Sequence, residues 1–270
     1  MHGSKGVVDP DWQERLAPIG LDDPRQWSKY RAGEVASASR STNSFKVTLA
    51  GGEQVFFKRY VYTNHRLRSL FMPSKSVVEG WGLTQMAAVG CRTPELLALG
   101  ETRLLGNVRA AYLVTRAIAN TTSLDQLTEK IGDLPDQQPQ EWNRLVNAIA
   151  ADLIPQLQAM HRVGLFHYDL KWRNLLIEQQ GPVCRVHLID CPRARRRRWR
   201  PFRGQVVELS ALSRLAIVHL TRYQRIKFLL RYLGKGYDAR QARRLMKAVN
   251  AHLSRRPPDG WQKSDFSCAR

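Results

Sequence analysis

The sequence predicts an α+β chain in two lobes, a small β-rich N-lobe with one helix and a larger, mainly helical C-lobe. Three observations carry this reading. Strand-like alternation around a Gly-Gly turn occupies residues 44–61, a helical apolar stripe runs from Trp142 to Met160, and helical spacing returns over 205–253. The expected division is an N-terminal leader over 1–25, an N-lobe over 26–118 and a C-lobe over 119–270.

The first 25 residues are polar and contain prolines, and so read as a leader outside either lobe. Ser44 to Leu49 alternates apolar and polar residues, Gly51-Gly52 supplies a turn, and Gln54 to Val61 follows. Two β-rich runs so joined predict a hairpin. Period-2 alternation puts Lys58 on one face with Phe56 and Tyr60. A helix is expected to start at Pro73-Ser74 and stop at Gly90, with Glu79 on it. Gly80 and Gly82 each weaken that helix by about 1 kcal/mol. Glu95–Leu99 and Ala111–Thr115 read as buried strands, with Gly106-Asn107 as a turn between them. In the long stripe, Trp142, Leu145, Ile149, Leu153, Leu157 and Met160 recur at helical steps, and Pro155 is expected to kink the helix.

The 270 residues include 43 Lys+Arg against 23 Asp+Glu, a net charge of +20. At 43% hydrophobic residues the chain buries a core and is not a disordered tail. The basic excess implies an anionic partner: nucleic acid, an acidic membrane face or a phosphorylated substrate. Cys91, Cys184, Cys191 and Cys268 form no Cys-x-x-Cys pair, which excludes a zinc ribbon, a thioredoxin-like motif and a disulfide scaffold. The first residues hold no apolar signal-peptide core. The longest apolar stretches are short for a membrane span and are interrupted by Arg109, Arg116 and Arg214. A soluble or peripheral protein in a reducing compartment is expected.

The segment Leu165 to Ile177 contains His167-x-Asp169-x-Lys171-x-x-Asn174, followed by an apolar strand-like run. Phosphoryl transfer to a hydroxyl needs a carboxylate to orient the proton, a cation near the moving phosphoryl group and oxygen ligands for Mg²⁺. Asp169, Lys171 and Asn174 meet those needs at kinase-type spacing. Val183 to Ile189 reads as a strand ending at Asp190, which suits a second metal ligand. Upstream, Lys58 is placed as a strand lysine for nucleotide phosphates, with Glu79 as its ion-pair partner on the following helix. His167 reads as a hydrogen-bonded support of the loop rather than a base.

The densest charge run, Arg193 to Arg203, holds seven arginines, including Arg195, Arg196, Arg197 and Arg198. A solvated stretch is the ordinary reading of such a run. Its start just after Asp190 favours acceptor or membrane binding, with Trp199 and Phe202 at the interface. Arg66, Arg68 and Lys75 would extend the same field. A nucleic-acid partner is disfavoured, since zinc-finger spacing and RRM-like interleaving of aromatics are missing from the sequence.

These residues carry a resemblance. The chain resembles the protein-kinase-like superfamily and, within it, the bacterial lipopolysaccharide core heptose/Kdo kinase family, over about residues 35–235. The narrower similarity rests on His167 to Asn174, on Leu188-Ile-Asp190 followed by Arg193-Ala194, on Leu209 to Leu212, and on Thr221-Arg222 leading into Phe228 to Leu233. The resemblance implies a bilobal protein-kinase-like fold. It also implies ATP-dependent phosphorylation of an inner-core sugar hydroxyl, heptose or Kdo, on a lipid-linked lipopolysaccharide at the cytoplasmic face of the inner membrane. By that carry-over Asp169 orients or deprotonates the hydroxyl, Asn174 and Asp190 hold Mg²⁺, Lys58 braced by Glu79 binds ATP, and Lys171 offsets charge. The loop from Gly33 to Asn43 lacks a G-x-G-x-x-G pattern, leaving Ser39, Ser41 and Thr42 as hydrogen-bond donors to the phosphates. Cys191-Pro192 stands where the superfamily has Phe-Gly, and Glu208 is the candidate brace of the catalytic loop. The competing readings are a kinase of another small molecule or of protein, and a kinase-like scaffold without catalysis.

Overall fold

The computed structural model describes residues 2–62, 72–181 and 183–255. The chain divides into two units: Met1–Thr84 with Pro94–Ile118, and Gln85–Thr93 with Ala119–Arg270. The first is β-rich and the second mainly helical, the α+β plan expected from the patterning.

In the first unit the chain runs β1 (His2–Val8), α1 (Pro10–Leu16), β2 (Glu34–Ser39), β3 (Thr42–Thr48), β4 (Gln54–Val61), α2 (Lys75–Ala88), β5 (Leu96–Leu104) and β6 (Asn107–Arg116). Six strands form one antiparallel sheet in the order β1-β5-β6-β4-β3-β2. The Gly51-Gly52 hairpin forms as predicted, with Lys58 paired to Ser44 on one side and to Leu113 on the other. Lys58 therefore sits on an interior strand, where the ladder holds its backbone on both sides. Strands β5 and β6 are longer than the sequence suggests and meet at Gly106, where φ is +80°. Gly80 has a packing reason in α2: a Cβ there would lie 2.9 Å from a Leu99 methyl.

The expectation of an N-terminal leader is corrected here. Residues 2–8 form an edge strand paired along β5, and Asp9 caps α1 by accepting from the Asp11 N–H. Trp12, Leu16, Leu21 and Trp27 are buried in the same core as Phe45, Phe57 and Tyr112. Trp27 meets the edge of Tyr112 at 5.9 Å and donates its indole N–H to the Leu21 carbonyl. A segment that buries Trp12, Leu16 and Leu21 contributes to the core whatever its average polarity.

The second unit contains β7 (Thr121–Ser123), α3 (Leu124–Ile131), α4 (Leu134–Gln137), α5 (Pro139–Arg162), β8 (Leu165–Phe166), β9 (Leu175–Gln180), β10 (Val183–Leu188), β11 (Arg195–Arg196), α6 (Pro201–His219), α7 (Arg222–Leu233) and α8 (Ala239–Leu253). Strands β10, β9 and β7 make one small sheet, and β11 pairs with β8. Helix α5 stays one element across Pro155, whose side chain is exposed. Its buried face includes Leu153, Leu157 and Met160. Thr221 and Gln224 close a reciprocal capping box at the start of α7. An apolar cavity of about 150 Å³ lies among α5, α6 and α7, lined by Trp142, Leu153, Leu209, Leu212 and Leu229.

Candidate active site

In the β-rich unit, the Lys58 ammonium contacts both oxygens of Glu79, at 3.0 and 3.2 Å. The glutamate side chain is 3% exposed and the lysine 15%. A carboxylate so deeply buried needs partners, and Glu79 has a second one in the Tyr60 hydroxyl, which donates to Oε2. The Tyr60 ring in turn lies 5.1 Å from the Lys58 ammonium. The sequence pattern identifies Tyr60 only as a neighbour of Lys58. Two-residue alternation along β4 holds the clue to its role, since it puts the phenol on the lysine's face.

In the helical unit, the segment after β8 is a tight loop built around His167. This imidazole is fully enclosed: Nδ1 accepts the Asp169 N–H at 3.2 Å, and Nε2 faces the Ile189 carbonyl at 3.0 Å. Accepting at Nδ1 places the proton on Nε2, so a neutral ring satisfies both bonds. Burial pushes the His167 pKa below the ordinary imidazole value, against the opposing pull of Glu208, Asp190 and Asp169. The ring therefore ties the Asp169 backbone to the end of the strand that presents Asp190.

Asp169 Oδ1 pairs with the Lys171 ammonium at 2.7 Å, and the Asn174 side-chain amide donates to the Asp169 carbonyl at 2.7 Å and to Oδ2 at 3.3 Å. Asn174 is buried, and its backbone carbonyl accepts the Ile189 N–H at 3.1 Å. The loop thus gathers Asp169, Lys171 and Asn174 by direct contact and joins Asp190 to them through Ile189. Asp190 has φ +59°, a left-handed conformation that aspartate tolerates better than most residues. With the amide nitrogen of Asn174 spent on Asp169, its side-chain oxygen and the Asp190 carboxylate are oxygen donors of the kind a hard divalent cation takes. Among the described residues no group of three or more His, Cys, Asp or Glu gathers as a metal cluster.

Glu208 on α6 is the brace. One of its oxygens accepts the backbone N–H groups of both His167 and Tyr168, the latter at 2.8 Å. The other faces His161 Nε2 at 2.6 Å, and His161 Nδ1 meets the Tyr232 hydroxyl at 2.7 Å. Burial, reinforced by the Glu208 charge, raises the Tyr232 pKa. His161 and Tyr232 are functional neighbours the sequence reading missed. The separations in sequence, 47 residues from His161 to Glu208 and 71 from His161 to Tyr232, give no local signal.

The predicted nucleotide-covering loop is the β2–β3 hairpin. Ser39 spends its hydroxyl inside that turn, accepting the Thr42 N–H at 3.1 Å and facing the Thr42 carbonyl at 3.2 Å. The Ser41 carbonyl accepts the Val61 N–H, and its side chain is exposed. In the arginine run, Arg193, Arg195, Arg196 and Arg198 are exposed and Arg197 is half-buried. Trp199 is 98% exposed. Arg66, Arg68 and Cys268 lie outside the described residues.

A lysine–glutamate pair between strand and helix, and a His-x-Asp-x-Lys-x-x-Asn loop held by a buried carboxylate and followed by a strand-end aspartate, define a protein-kinase-like phosphotransferase. The chain belongs to the Lipopolysaccharide kinase (Kdo/WaaP) family, whose model matches residues 26–232. It is an ATP-dependent phosphotransferase acting on a sugar hydroxyl, heptose or Kdo, of the lipopolysaccharide core. Among solved structures it is similar to WaaP in complex with acyl carrier protein, at 22% identity and a TM-score of 0.69, covering 93% of this chain and 97% of that one. It is also similar to the Rio2 kinase–ADP/Mg²⁺–phosphoaspartate complex from Chaetomium thermophilum, at 14% identity and a TM-score of 0.50, covering 86% and 75%. No curated protein matches the chain.

Proposed function

We propose that Asp169 receives the acceptor sugar's hydroxyl and orients or takes its proton, with Lys171 offsetting the charge on the phosphoryl group in transfer. The observation that carries this reading is the 2.7 Å pair between Asp169 and Lys171, on a loop whose backbone Glu208 and His167 hold rigid. Asn174 and Asp190 would hold Mg²⁺, which when bound supplies electrostatic stabilisation of the phosphate oxygens. Lys58 would grip nucleotide phosphates, while Glu79 and Tyr60 fix where its ammonium points. Ser41 and Thr42, at the β2–β3 turn, would contact the same phosphates through hydroxyl or backbone groups.

The acceptor would be lipid-linked core oligosaccharide met at the cytoplasmic face of the inner membrane, the protein binding there peripherally. The net charge of +20 and the exposed Trp199 beside the arginine run support an anionic surface as partner. Among the described residues no helix is long and apolar enough to cross a membrane.

The test is transfer of label from γ-labelled ATP to lipopolysaccharide taken from cells lacking this protein. Asp169→Ala should abolish transfer and leave the melting temperature within a few degrees of the parent. Label transfer at the parental rate by that variant would overturn the assignment.

A further inference from the structure

The arginine run is not uniform. Strand β11 pairs with β8 through Arg195 opposite Phe166 and Arg196 opposite Leu165, and the Arg197 N–H continues the ladder by donating to the Gly164 carbonyl at 2.7 Å. Extended backbone alternates its side chains, so Arg195 and Arg197 share one face while Arg196 points away. Arg196 indeed reaches Gln85, at 2.6 Å. Arg195 and Arg197 instead both stack on Tyr168, with guanidinium carbons 4.7 and 5.7 Å from the ring centre. Tyr168 immediately precedes Asp169 and is held at φ +62°, an uncommon conformation for an aromatic residue.

This cluster has donors to spare. Among the described residues, none of the seven arginines from Arg193 to Arg203 pairs with a carboxylate. The Arg197 Nε–H and the Tyr168 hydroxyl are buried without a hydrogen-bond partner. Buried polar groups left unpaired in the protein are costly, and a ligand that satisfies them recovers that cost. The first turn of α6 adds to the field: its N-cap, Arg200, makes no side-chain cap and no acidic residue follows in that turn. That turn is close, because Gly204 packs on the Phe166 ring, which meets Tyr168 at 5.8 Å. Arg195, Arg197 and Arg203 all act electrostatically on the Tyr168 phenol, and Glu208, which opposes them, is committed to the loop backbone.

We infer that Tyr168, Arg195 and Arg197 form an anion subsite beside Asp169, which takes a carboxylate or phosphate already borne by the acceptor sugar. The subsite selects an acidic saccharide and sets its hydroxyl at Asp169; Arg196 and Arg198 take no part. This rests on the reading of Asp169 as the acceptor residue. The chemistry recognised is an oxyanion matched by guanidinium forks and a phenol donor.

The experiment is calorimetric titration of the full chain, without ATP, with lipid-free inner-core oligosaccharide in two forms. One is native; the other has its carboxylates reduced to alcohols and its phosphates removed. The native form should bind at least tenfold more tightly. Arg195→Gln and Arg197→Gln should each remove most of that difference while changing affinity for the neutral form less than twofold. Arg197→Lys, which keeps charge without the fork, should recover part of it. Equal binding of the two forms by the parent would overturn the subsite, as would unaltered discrimination in Arg195→Gln, whose exposed side chain leaves folding intact. Loss of binding to phosphatidylglycerol vesicles with oligosaccharide discrimination intact would assign these arginines to the bilayer and equally overturn it. Because the titration needs no turnover, failed phosphate transfer alongside the expected binding pattern would refute the assigned role of Asp169 and not the subsite.

Discussion

The Tyr168 backbone N–H donates to the Glu208 carboxylate at 2.8 Å, a bond that crosses from the middle of α6 to the residue before Asp169. The same carboxylate oxygen holds the His167 amide, so one buried side chain fixes two consecutive peptide planes of the loop. A glutamate, reaching one methylene further than aspartate, makes this contact while its other oxygen engages His161.

Removing that brace should cost both stability and turnover. Glu208→Ala leaves two buried N–H groups and an imidazole without their acceptor, at about 1–3 kcal/mol each. A drop of several kcal/mol in urea-unfolding free energy is expected. Glu208→Asp should retain the fold and lower kcat at least tenfold with little change in KM for ATP, measured by steady-state kinetics.

The Lys58–Glu79–Tyr60 cluster predicts a graded series. Lys58→Met removes the ammonium and should raise KM for ATP and lower kcat/KM about 100-fold, roughly 2.7 kcal/mol of transition-state binding. Tyr60→Phe keeps the ring and deletes the phenol's bond to Glu79, so a loss nearer tenfold is expected. A Tyr60→Phe defect equal to that of Lys58→Met would contradict the supporting role.

His167 predicts an acid-sensitive fold. Its folded pKa is lowered, so below about pH 6.5 the unfolded chain binds a proton that the folded chain refuses. Stability from this group is fully present above pH 6.5 and declines as pH falls toward the folded pKa, by at most about 1.4 kcal/mol per pH unit. Partly buried His219 and His252, also lowered by desolvation, act in the same direction. Unfolding free energies across pH 5 to 8 should show the slope, and His167→Gln should flatten it.

Two helical glycines should respond oppositely to alanine. At Gly204 a Cβ would fall 2.6 Å from the rigid Phe166 ring, so Gly204→Ala should destabilise by about 1–3 kcal/mol despite better helix propensity. At Gly80 the nearest atoms are the mobile ends of Leu99 and Leu96, and Gly80→Ala should come within about 0.5 kcal/mol of neutral. Thermal melts of the two variants check both.

Much of this architecture was legible because it is local. The β3–β4 hairpin shows as alternation around Gly51-Gly52, α5 as an apolar stripe, and the loop from His167 to Asn174 as fixed spacing. What stayed hidden depends on pairing across long separations. Strand β1 has little apolar alternation because it docks at a sheet edge through its backbone, and Trp12, Leu16, Leu21 and Trp27 follow no single period. The Tyr232–His161–Glu208 chain joins three helices, and the stacking of Arg195 and Arg197 on Tyr168 follows from an extended pair of strands only two residues long.

Strand β1 also bears on where the polypeptide can be trimmed. The family match begins at residue 26, yet β5 is flanked on one side by residues 2–8. A fragment cut at that boundary would bare a row of unpaired amides and carbonyls along β5 and uncover the apolar surface now shielded by Trp12 and Leu16. Such an edge recruits a strand from another molecule, so the shortened protein would be expected to self-associate instead of remaining dispersed.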